Sequence, residues 1–183
     1  MRHRGQQIRC NSEADGDSPD ERERPQLSSQ TLSQRIAFIR ADWHGDIVGN
    51  CHAAFLEAVA ERGFAVDQID TFTVPGVFEI PLQAKLLAKS GRYAAIVASG
   101  FVVDGGIYRH DFVSTAVIDA LMSLQLEQEV PVLSAVLTPH HFHEHESHTT
   151  FFREHFLTKG REAAEACLTT MENLNQVRKL SVD

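Results

Sequence analysis

The sequence predicts an α/β protein: a parallel sheet of four strands with helices on both faces, a three-layer sandwich. Three observations predict it. Short apolar runs of strand length occur at residues 36–39, from residue 94 (AAIVASGFVV) and at 130–138 (VPVLSAVLT). Longer segments between them carry apolar residues at steps of three and four, the helical period. The two kinds alternate as β-α-β-α-β-α-β-α, the pattern of parallel strands joined by crossover helices.

The chain has 183 residues, enough for one domain with a substantial core. Its formal net charge of -8 argues against nucleic acid or an acidic membrane surface as the main partner. Cys10, Cys51 and Cys167 are odd in number and far apart. They make no metal or redox motif and fit a reducing compartment. No apolar run approaches the roughly 18–20 residues that span a bilayer. The N-terminus lacks the apolar core of a signal peptide. A cytoplasmic location is expected.

Residues 1–34 read as a flexible polar tail, because NSEADGDSPDERERPQ has too little apolar surface to offset its ordering entropy. The folded domain is expected over residues 35–183. The first strand is IAFI, residues 36–39. The single tryptophan, Trp43, follows its end. There it is either a core plug or a flat stacking surface at a pocket mouth. Ile47, Cys51, Ala54 and Ala58, widened by Val48, Phe55 and Val59, make an amphipathic helix that ends near Gly63. Alternation over residues 64–74 predicts the second strand. Pro75-Gly76 marks a turn. Pro81 suits the first turn of a helix that Leu82, Leu86 and Leu87 continue to Gly91. Glu79 stands at that helix start, where it either complements the helix dipole or accepts hydrogen bonds from ligand hydroxyls.

The third strand enters residues 100–113, GFVVDGGIYRHDFV. Gly105 and Gly106 break the apolar run, and Arg109, His110 and Asp111 directly precede a helix. A glycine-bearing βα loop with an arginine and a histidine suits anion binding and proton transfer. The plain alternative is an ordinary turn in which Asp111 caps the helix. Phe112, Ala116, Ile118, Leu121, Met122 and Leu126 give that helix an apolar stripe. The fourth strand, residues 130–138, is interrupted by Ser134, either a satisfied core hydroxyl or a ligand contact.

HHFHEHESH, residues 140–148, holds five of the ten histidines. The metalloprotease pattern H-E-x-x-H is missed, since Ser147 and Thr149 fall where its second histidine belongs. No specific metal site is expected; a neutral-to-cationic loop near an anionic ligand is the better reading. The last helix runs from about residue 149 through the 170s, with Ala163, Ala164, Ala166 and Cys167 as its packing face. Ligands of such sheets bind beyond the carboxyl ends of the strands. Trp43, Phe78, Glu79, residues 101–106 and Ser134 all lie at or near those ends.

Three segments together resemble lumazine synthase, the penultimate enzyme of riboflavin biosynthesis. They are VPGVFEIP at 74–81, GFVVDGGIYRHDFV at 100–113 and VPVLSAVLT at 130–138. The resemblance spans residue 35 to the mid-170s. YRHDFV and LTPHHFHEHESH look like the divergent type II form of rhizobia and brucellae. The resemblance implies a flavodoxin-like strand order, 2-1-3-4. It implies condensation of a ribitylaminouracil with a dihydroxybutanone phosphate to a dimethylribityllumazine, phosphate and water, with no metal or organic cofactor. By the same resemblance, Trp43 stacks on the pyrimidine. Val77, Phe78 and Glu79 meet the ribityl chain, and Phe101, Val102 and Val103 line the heterocycle pocket. Gly105 and Gly106 belong to the phosphate loop, and Ser134 is a pocket residue.

The chain departs from the family pattern around the phosphate. Arg109 stands where the family's proton-donating histidine is usual, and His110 lies one place later. Arginine holds its proton too tightly for easy acid catalysis and suits a phosphate clamp. His110 is chemically the better proton shuttle. Ile107 replaces a threonine, Asp104 stands where a basic residue is common, and His148 replaces a phosphate-binding arginine on the last helix. Weaker binding of the phosphate substrate is expected than in a typical member. The resemblance also implies pentamers, with active sites between neighbours, and for type II a dimer of pentamers. Two other functions compete. A lumazine- or flavin-binding protein with little catalysis would share Trp43 and Glu79. A metal-responsive assembly would use the histidine cluster instead.

Overall fold

The computed structural model describes residues 26–104, 109–140, 142 and 146–180. Its elements are α1 (Ser29–Leu32), β1 (Ile36–Ala41), α2 (Gly45–Glu61), β2 (Ile69–Val74), α3 (Ile80–Lys89), β3 (Ala95–Phe101), α4 (His110–Gln128), β4 (Val132–Leu137) and α5 (Glu146–Leu180). The four strands form one parallel sheet in the order β2-β1-β3-β4. This is the expected α/β architecture and strand order.

Alternation along the strands divides the core. Ile36 and Phe38 of β1, with Ala95, Val97 and Phe101 of β3, face α2 and α5. Ala37, Ile39 and Ala41, with Ile96 and Ala98, face α3 and α4. Helices on both faces complete three layers. All seven residues of β3 are buried, because neighbouring strands and helices cover it on every side.

Four sequence readings shift. The second strand begins at Ile69, not Phe64. Gly63 takes a left-handed turn (φ 77°), the Phe64 amide donates to the Val59 carbonyl at 3.0 Å, and residues Val66–Gln68 form a 3-10 turn. The chain must reverse before it can pair with Ile36, so Phe64 is a core plug rather than a strand residue. On α4 the buried positions are Val117, Leu121 and Leu124. Phe112, Ala116, Ile118, Met122 and Leu126 of the expected stripe are exposed. The helix is apolar on two faces, and period alone does not say which one meets the sheet.

On α5, Ala166 is exposed, and Gly160, Ala163, Ala164 and Cys167 pack inward. A Cβ at Gly160 would collide with the Cys51 carbonyl oxygen, so the backbones of α2 and α5 cross in direct contact. Phe151 on the same helix is exposed, and Phe152 and Phe156 belong to the core.

The folded structure also starts before residue 35. Thr31 of α1 is fully buried against α5. Glu172 accepts hydrogen bonds from the Thr31 hydroxyl (2.6 Å), the Ser28 hydroxyl (2.8 Å) and the Ser28 amide (3.0 Å). The Asn175 amide nitrogen donates to Thr31 Oγ1 and to Gln34 Oε1. These polar side chains read as a tail because hydrogen-bond partners 140 residues away leave no local signal. Most of the expected tail, residues 1–25, lies outside the described residues.

The same bonds, the Thr31 hydroxyl first and then the Ser28 amide and hydroxyl, hold the Glu172 carboxyl down to about 2. Because its folded pKa is depressed, its contribution is full above the ordinary carboxylate value. That contribution is lost as pH falls through the folded one. Glu172→Gln is expected to cost about 1 kcal/mol at neutral pH, the modest value of a solvent-reached charged acceptor. It should also flatten the loss of stability between about pH 5 and about pH 2. Thermal melts across that range check both; parallel profiles for parent and variant would contradict them.

Candidate active site

The site forms where three strand ends and one helix start meet. Beyond β1, the Asp42 amide donates to the Val74 carbonyl at 2.8 Å and the Trp43 amide to the Pro75 carbonyl at 3.1 Å. The β1–α2 and β2–α3 connections are thereby stitched together. Val77 opens a 3-10 turn, Val77–Glu79, directly before α3. Gly100 of β3 lets this turn come close: a Cβ there would collide with Val77 Cγ1 and meet Ile80 and Ala41 at ordinary contact distance. The strand then delivers Phe101, Val102 and Val103, and α4 begins with His110.

These elements enclose a cavity of about 130 Å³ lined by Trp43, Val77, Phe101, Val102, Val103, His110 and Val113. It is predominantly apolar, with one imidazole at its edge. Trp43 is 64% exposed, so it walls the mouth and is no core plug. Small-molecule sites commonly measure roughly 300–1,000 Å³.

Behind the cavity lies an aromatic cluster. Phe101 meets Phe142, Phe152 and Phe156 at ring-centre distances of 5.1, 4.8 and 5.5 Å. The His44 ring stands edge-on to Phe101 and Phe142, 5.7 Å from each. His44 caps α2 in a left-handed conformation (φ 54°, ψ 39°). For a non-glycine residue this costs about 1–2 kcal/mol, which the surroundings must offset. Two residues on, Asp46 is ion-paired with Arg153 of α5 at 2.5 Å. The Arg153 hydrogen bond and charge hold the Asp46 carboxyl below its usual range.

A family model described as 6,7-dimethyl-8-ribityllumazine synthase matches residues 33–175. The chain belongs to the lumazine synthase family. It is 59% identical over 148 residues to the 6,7-dimethyl-8-ribityllumazine synthase of Rhodococcus erythropolis, covering 81% of this chain and 96% of that one. It is 55% identical to 6,7-dimethyl-8-ribityllumazine synthase 2 of Pseudomonas syringae pv. tomato, covering 81% and 87%. To 6,7-dimethyl-8-ribityllumazine synthase 1 of Caulobacter vibrioides it is 34% identical, covering 79% and 93%.

Of the residues that the lumazine synthase resemblance singled out, Trp43, Val77, Phe101, Val102, Val103 and His110 line the one cavity. Phe78 and Glu79 are exposed on the adjoining turn. Glu79 Oε2 accepts the Gly76 amide at 2.9 Å, so one carboxylate oxygen braces its own turn. Arg109 precedes α4; its Nη2 donates to Asp111 Oδ2 at 2.8 Å and its guanidinium lies over the Phe112 ring at 4.2 Å. This pairing raises the Arg109 pKa and lowers that of Asp111. Ser134 pairs with Ala98, three positions short of the Phe101–Leu137 pair at the rim, and is not among the lining residues. His148 sits in the first turn of α5, half-buried. Gly105, Gly106 and Ile107 lie outside the described residues, as do His141, His143 and His145 of the histidine cluster.

Sequence reasoning missed Val113, Phe142 and His44. Val113 follows its motif by helical spacing and was legible. Phe142 is masked by the histidines around it. A left-handed histidine leaves no sequence signal.

Gly100→Ala is expected to push Val77 into the cavity or out of its turn, lowering stability by about 1–3 kcal/mol. It should also weaken binding of a flat heterocycle. Denaturant unfolding and a titration read by Trp43 fluorescence test the pair of effects. An alanine variant with parental stability and affinity would show that the close approach is dispensable.

Proposed function

We propose that this chain condenses 5-amino-6-(D-ribitylamino)uracil with 3,4-dihydroxy-2-butanone 4-phosphate to give 6,7-dimethyl-8-ribityllumazine, phosphate and water, the penultimate step of riboflavin biosynthesis. Family membership and the named relatives support the reaction. The observation that carries it is the meeting of Trp43, Val77, residues 101–103 and His110 around one cavity. Nothing favours the reading as a binding protein with little catalysis.

The chemistry asks for a stacking surface, an anion site and a proton path. Trp43 offers its exposed indole face to the pyrimidine. Phe101, Val102 and Val103 exclude water around the ring system, and Val77, Phe78 and the free oxygen of Glu79 meet the ribityl chain. Arg109 draws the phosphate, in competition with Asp111, with Gly105, Gly106 and His148 completing the anion site. His110 moves the proton as the imine forms and phosphate leaves. Ser134 serves a pocket completed by a neighbouring subunit. No metal or organic cofactor takes part. We also assign the chain to the type II form, supported by identities of 55% and 56% to two relatives named synthase 2 against 34% to one named synthase 1. No described helix is long and apolar enough to cross a membrane, and we place the protein in the cytoplasm.

Turnover of the two substrates, followed by lumazine absorbance, tests the reaction. Binding without product above the uncatalysed rate would leave only the binding-protein reading. Trp43→Ala should weaken pyrimidine binding roughly tenfold, and Arg109→Ala should raise KM for the phosphate substrate by about as much. His110→Ala should lower kcat on the order of a hundredfold and alter its pH profile. An unchanged profile removes His110 as the shuttle.

Self-association as pentamers, paired into a decamer, fits the open half-site and an exposed apolar surface. Phe78, Leu82 and Leu86, with Phe112, Met122 and Leu126, are each more than half exposed. Sedimentation should give a species of about ten chains; a monomer would refute this arrangement.

A further inference from the structure

We infer that His44 is a positioning residue: its ring, wedged beside Phe101 and Phe142, sets the direction in which Trp43 projects across the cavity mouth. The inference rests on the proposed stacking role of Trp43. It adds a residue outside the cavity lining that controls that role.

Two constraints meet at this point of the chain. The Trp43 backbone is fixed by the hydrogen bond that its amide donates to the Pro75 carbonyl. One residue later the chain must reverse into α2, whose first amides, Ile47 and Val48, both donate to the His44 carbonyl at 2.9 Å. A left-handed residue makes this reversal, and glycine or asparagine would make it with less strain. What histidine brings to this turn that neither would is an aromatic ring. It lies 6.3 Å from the Trp43 ring and edge-on to two phenylalanines, of which Phe101 also lines the cavity. Edge-to-face packing restricts ring rotation. With His44 held from behind, the turn that carries Trp43 cannot swivel. Among the described residues, His44 is the ring recorded beside the indole.

Because Trp43 is the only tryptophan in the chain, its fluorescence reads this arrangement with no substrate present. In the full-length protein, His44→Asn keeps the left-handed turn and removes the ring. It should lower the ligand-free anisotropy of Trp43 and raise KM for the pyrimidine roughly fivefold, while KM for the phosphate substrate moves less than about twofold. His44→Phe, which keeps an aromatic ring in place, should retain most of the parental anisotropy. Parental anisotropy in His44→Asn overturns the inference. So does an equal loss in His44→Phe. If Trp43→Ala leaves pyrimidine KM unchanged, the stacking reading fails instead, and the ligand-free anisotropy still judges His44 by itself.

Discussion

Complete burial of β3 is the constraint on which the rest depends. Seven consecutive residues, Ala95 to Phe101, are covered by β1, β4 and helices on both faces. Every polar backbone group of such a strand must be paired, so its register cannot slip without flipping its side chains. That fixes where the strand ends. Gly100 then admits the turn that carries Val77, and Phe101 presents one side to the cavity and the other to Phe142, Phe152 and Phe156. Core and site share Phe101, so this wall of the pocket is anchored in the centre of the sheet.

Electrostatics around the site are local rather than extended. The chain is acidic overall, and the arginine nearest the cavity already holds a carboxylate. On the proposed role of Arg109, an incoming phosphate would displace Asp111 from it or share the guanidinium. That exchange would take place in solvent, where an ion pair is worth little, so displacement would be cheap. The pairing keeps the guanidinium near the rim without sealing it.

The fold was legible in the chain because parallel strands buried on two faces read as near-continuous apolar runs, and IAFI and AAIVASGF do, the second interrupted only by Ser99 and Gly100. Trp43 and residues 101–103 were legible as a group because topology brings strand ends together whatever the loops contain, whereas Val77 joined them only through the family resemblance. The misreadings share a different cause. The apolar stripe of α4 counted outward-facing Phe112, Met122 and Leu126 together with inward-facing Leu121, since a helix with two apolar faces satisfies the same period. Ser28 and Thr31 looked like solvent-bound tail because Glu172 and Asn175 lie far off in sequence. His44 was invisible because backbone handedness is decided by the turn around it, not by the side chain. Patterns that repeat along the chain can be read from it. Conditions that two distant segments impose on each other cannot.

α5 has 35 residues, and as a straight helix it is about 50 Å long. It starts beside Phe101 at the rim and finishes past Asn175, which grips Gln34 just ahead of β1. Ser28 is held at the same far end. Polypeptide joined before Ser28 or after Leu180 therefore begins its path on the side of the domain away from the mouth. A tether, reporter or carrier protein grafted at either place departs from the pole opposite the cavity.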